Sequence, residues 1–71
     1  MAVRARVYLQ RPPPRTDAIY LGEIDIDARP ILHSRVRFAH NGQMMVGHIE
    51  MLTPLDWFER GLIPTVRVVQ R

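Results

Sequence analysis

Three residues carry the sharpest chemical idea in this chain: His33, His48 and Glu50. Two imidazoles and a carboxylate are the donor types of a facial zinc or non-haem iron site. Arg35 falls on the same strand face and repels a cation, and nothing in the pattern orients the imidazoles from behind. The reading is no metal and no cofactor, with His33, His48 and Glu50 as a weak candidate cluster. Covalent catalysis has as little to use. There is no cysteine, and Ser34 is the only serine. Nucleophile elbow, phosphate-cradling glycine loop and HExxH pattern are all absent. A chain of 71 residues is also short for a water-excluding pocket. The expectation is a protein that is not an enzyme.

Arginine is the other chemistry on offer. All ten basic residues are arginine, the formal net charge is +3 and the sequence pI is about 10.6. The charges come in blocks. Residues 1–16 hold four arginines and no acid, and residues 17–27 hold four acids and no base. Arg29, Arg35 and Arg37 follow, then Glu50, Asp56 and Glu59, then Arg60, Arg67 and Arg71. Blocks of opposite sign can pair across strands and leave only a modest excess field. Arginine suits bidentate recognition of carboxylate or phosphate. Arg4 and Arg6 share an outer strand face with Tyr8, Arg35 and Arg37 share another with His48, and Arg67 points away from Val66 and Val68. If the first and third strands are neighbours, an arginine–tyrosine strip results, in which arginine holds phosphates and Tyr8 stacks a base.

The elements that must position these residues are read from period-two alternation. Val3, Ala5, Val7 and Leu9 alternate with polar residues over Ala2–Gln10, a half-buried strand. A second strand runs from Ala18 to Ile26, broken at Gly22, where a bulge or bend is expected. Between them, Arg11-Pro12-Pro13-Pro14-Arg15 reads as a stiff turn rather than a polyproline ligand. Asn41-Gly42 is the strongest short turn signal and implies a hairpin in which cross-strand partners sum to 83. That register puts Val36 and Phe38 on the core face with Met45, Gly47, Ile49 and Met51, and sets His33 opposite Glu50. Thr53 as N-cap, Pro54, Asp56 and Gly61 as C′ residue predict a helix of one to two turns. Leu52 and Trp57 form its hydrophobic staple. Trp57 then plugs the barrel, and its neighbour Phe58, pointing elsewhere, is the better partly exposed contact. A last strand covers Thr65–Val69.

These elements make one domain over residues 1–71, of which 1–16 are expected to be partly flexible. The composition, 46% hydrophobic and 24% charged, is that of a globular chain. At this size only about 60% of the unfolded surface can be buried, so the core is marginal and a partner would help. Absence of cysteine fits a reducing compartment, and no apolar run approaches the ~20 residues of a membrane span. A cytoplasmic protein that does not engage membranes is expected.

The run Val36-Arg37-Phe38 through Asn41-Gly42 to Val46-Gly47-His48-Ile49 resembles the central hairpin of small SH3-like barrels. Tudor-like and KOW-like modules also place a turn glycine and a strand glycine around such alternation. The whole chain resembles the short SH3-like proteins of bacteria, a likeness that implies a fold and no activity. The full aromatic cage of Tudor-like binders is missing.

The fold expected is therefore mostly all-β: a small five-stranded SH3-like barrel with an Asn-Gly hairpin and one helical turn before the last strand. The function expected is a small basic, non-catalytic binding module that contacts another protein or its own copy. The alternative is weak nucleic-acid binding through an arginine-bearing strand face. The binding residues singled out are Arg4, Arg6, Tyr8, Arg35, Arg37, His48, Phe58 and Arg67.

Overall fold

The computed structural model describes residues 2–70. Five strands, β1 (Val3–Gln10), β2 (Ala18–Ile26), β3 (Arg35–His40), β4 (Gln43–Thr53) and β5 (Thr65–Gln70), follow one another around a closed barrel. Successive strands pair antiparallel. With an odd number of strands the first and last then run the same way, so the closing β1–β5 ladder is parallel, from Arg6↔Thr65 to Leu9↔Val68. The same alternation sorts the connections. The 11–17 loop and the Asn41-Gly42 turn lie at one end of the barrel; the 27–34 and 54–64 loops lie together at the other.

The inward positions of the alternating strands fill the barrel. Ala5, Val7, Ile26, Val36, Phe38, Ile49, Val66 and Val68 are buried, with no buried polar or charged residue among the described ones. Full burial of a side chain of Val, Ile or Phe size contributes about 1.5–3 kcal/mol, and this layer is the main cohesion of so small a domain. Two bulges bend the sheet into closure. One is at Val7/Tyr8 against β2, beside Gly22 at φ +109. The other lies between Ile49 and Met51 on β4. Gly47 serves a different need. A Cβ there would meet the Val68 side chain and lie 2.8 Å from the Val69 carbonyl oxygen, so β4 and β5 approach as closely as only glycine permits.

The sequence reading is corrected at two places. The β4 bulge inserts an extra residue and reverses the parity of the strand. Met51 therefore pairs with Arg67 outside the core, and Leu52 turns inward and is buried in its place. No helix forms among the described residues. Thr53 ends β4, and residues 54–61 are a run of turns. Its bonds are mixed: Trp57 N–H to the Pro54 carbonyl, Arg60 N–H to Asp56, and Gly61 N–H to Phe58. With the Leu62 N–H bond to the Trp57 carbonyl at 2.9 Å and Gly61 at φ +65, the run ends like a helix it never becomes. A segment this short gains too few bonds to offset helix nucleation.

The β2–β3 seam is the weakest of the barrel. It has a single residue pair, Ile26↔Phe38, so Ala18–Asp25 have ladder partners on β1 alone. Asp27 extends the seam by one step. Its N–H donates to the Arg37 carbonyl at 3.1 Å, and its carboxylate accepts the Arg37 N–H at 3.0 Å.

Candidate functional site

The expected arginine–tyrosine strip does not assemble. β2 lies between β1 and β3, and acids on it or just after it take up arginines on both sides. Arg4 lies 3.3 Å from Asp25, Arg6 3.7 Å from Glu23, and Arg37 3.5 Å from Asp27. Part of the opposite-sign blocks is thus joined in cross-strand pairs, mostly exposed and individually worth little. The Asp27 carboxylate is also shifted in its titration by this contact. The Arg37 backbone N–H chiefly, then its guanidinium, hold it below the ordinary aspartate value.

The remaining predicted residues are scattered over the outer wall. Tyr8 packs against Tyr20 with ring centroids 4.9 Å apart and the planes tilted by 41°, and across the parallel ladder its register partner is Arg67. Arg35 is paired in register with His48 on β4. His48 is half-buried, and its Nδ1 has no hydrogen-bond partner. His33 falls just outside β3 at φ +71, and its Nδ1 lies 3.8 Å from a Glu50 carboxylate oxygen. Among the described residues no group of three histidines or acids is placed to hold a metal ion. The Ser34 hydroxyl donates to the Ile31 carbonyl at 2.6 Å, a local turn contact.

The surface that does gather is at the barrel end where the 27–34 and 54–64 loops meet. Trp57, only 7% exposed, and Leu52 close the barrel from below. Above them opens a cleft of about 390 Å³ lined also by Pro30, Ile31, Leu32 and Leu55. Leu55 is 74% exposed and Ile31 60%, an unusual outlay of apolar surface for a domain with so little core to spare. Phe58 adjoins it, 59% exposed, its ring edge-on to Trp57 at 5.6 Å. The Arg29 guanidinium lies over Phe58 at 4.4 Å and reaches Trp57 at 5.7 Å, a cation–π stack. Arg29 has no carboxylate partner among the described residues.

Of this surface the sequence reading named Phe58 as a contact and Trp57 as its buried neighbour. Ile31, Leu32 and Leu55 belong to no alternating run, so strand periodicity passes over them. Their signal is negative: apolar residues that follow a proline in loops, where neither strand pattern nor turn chemistry calls for them. Among the described residues no helix is long and apolar enough to cross a membrane. Comparison of the chain with protein-family models, with curated proteins and with solved structures gives no match.

Proposed function

We propose that this chain is a non-catalytic interaction module that contacts another protein through the apolar end of its barrel. The observation that carries the reading is the cleft over Trp57, with Ile31 and Leu55 exposed on its walls and Phe58 beside it. Apolar patches of this kind, rimmed by polar residues, are where soluble domains meet partners. A small closed five-stranded barrel is compatible with the SH3-like class its hairpin residues resemble, a scaffold that carries contacts on its loops. The test is capture of a defined prey by immobilised protein and by two variants. Leu55→Asp should abolish capture, while Met44→Asp, nearly as exposed but at the opposite end, should leave it intact. Capture that ignores Leu55→Asp overturns the reading.

One observation favours a second reading. Tyr20, Tyr8 and Arg67 form a short strip of two rings and a cation across β2, β1 and β5. Such a strip suits weak, sequence-tolerant contact with single-stranded nucleic acid.

A further inference from the structure

The two loops at the cleft end carry two opposite charges, Arg29 and Glu59, with no ionic partner among the described residues. Arg29 lies over Phe58, and Glu59 follows Phe58 in the chain and is exposed. Asp56 and Arg60 beside them, by contrast, pair with each other at 3.7 Å. A partner that covers Ile31, Leu55 and Phe58 and also answers these two charges presents an anion to Arg29 and a cation to Glu59. A second copy of this chain presents both. In a two-fold interface the same patch serves both subunits, so each contact made by Arg29 on Glu59 of the other copy is made twice.

We infer that the cleft end of the barrel is a self-complementary surface on which two copies dock about a two-fold axis, with Arg29 of each facing Glu59 of the other. This rests on the reading of the apolar end as the contact surface, and it names the occupant. The apolar centre provides the affinity, and the crossed charges fix orientation and reject mismatched partners. A stable pair of ordinary size buries about 800 Å² on each copy. Out of 4828 Å² of accessible surface, that is a large commitment for a domain whose own core is marginal.

Sedimentation equilibrium from about 1 µM to about 1 mM is run on the full chain, on Arg29→Glu, on Glu59→Arg and on the double swap. Circular dichroism monitors the fold of each. The wild-type chain should associate to a dimer. Each single swap sets two like-charged pairs against each other and should weaken the dimer about 10-fold or more. The double swap restores opposite charges at both contacts and should recover most of the loss, a rescue that general stickiness would not give. A wild-type chain that stays monomeric, or a dimer indifferent to the single swaps, overturns the inference. A monomeric chain that still loses prey through Leu55→Asp would leave the apolar end as a contact surface for a different protein. A chain for which Leu55→Asp changes neither association nor capture would remove both.

Discussion

The Asp27 carboxylate grips Arg37 twice, accepting its backbone N–H at 3.0 Å and facing its guanidinium at 3.5 Å. The grip sits where β2 and β3 share only one residue pair, so a side chain does there what a backbone carbonyl does elsewhere in the ladder.

A pH dependence follows from that contact. The folded-state pKa of Asp27 lies below the ordinary aspartate value, so the native state favours the charged form. The stabilisation is in full force above the unfolded pKa, near 3.9, and is lost as pH falls through the lower folded value. Thermal melts from pH 6 down to about 2 should show a falling midpoint for the wild-type chain. Asp27→Asn should be less stable at neutral pH and should lose less than the wild type on acidification. An acid limb of unchanged depth in Asp27→Asn would remove the clasp from the account.

Gly47→Ala tests the close approach of β4 and β5. The added Cβ has the Val68 side chain and the Val69 carbonyl oxygen in its way, and the backbone atom cannot give. The expected loss is about 1–3 kcal/mol in urea unfolding. Gly42→Ala meets no neighbouring atom and suffers only from its φ of +75, so it should cost less, roughly 1 kcal/mol.

Adjacent aromatics should behave oppositely. Trp57→Ala empties the base of the barrel and should cost about 3–5 kcal/mol, enough to unfold a marginal domain. Phe58→Ala removes an exposed ring and its stack with Arg29, and should cost within about 1 kcal/mol. Equal losses at the two positions would mean that Phe58 belongs to the core.

Nucleic-acid contact is decided by anisotropy with labelled single-stranded RNA. Any binding through the tyrosine strip should be weak and should fall only modestly with salt, because Arg67 is the strip's one cation and the salt slope grows with the number of phosphates neutralised. It should fall further in the Tyr20→Ala and Arg67→Ala variants. Arg35→Ala should change it less than either, because β4 separates Arg35 from Arg67 and the register partner of Arg35 there is His48. Binding lost through Arg35 and retained without Tyr20 would reverse this placement.

The inward faces of β1 and β3 were legible because Val7, Val36 and Phe38 obey a strict period of two, and burial enforces it. Gly22 was legible as a break because a run of apolar residues ended on the one residue that accepts φ +109. Met51 was misplaced because the β4 bulge has no residue signature: Ile49-Glu50-Met51-Leu52 reads equally well in either phase. The helix was overcalled because Thr53, Pro54 and Gly61 are genuine terminal signals with too little chain between them. The end surface stayed half hidden because its apolar residues come from two loops 20 or more residues apart, and only closure of the barrel brings Leu55 beside Ile31.

The parallel β1–β5 ladder has a mechanical side. Val3 begins at the cleft end of the barrel and Gln70 finishes at the far end, so tension applied between them draws the two strands lengthwise past each other. All the bonds from Arg6↔Thr65 to Leu9↔Val68 then bear the load together, in shear, rather than parting one after another like a zip. Since rupture under force is set by the unfolding barrier and not by equilibrium stability, a domain with a thin core can still resist stretching along this axis while peeling readily at the β2–β3 seam.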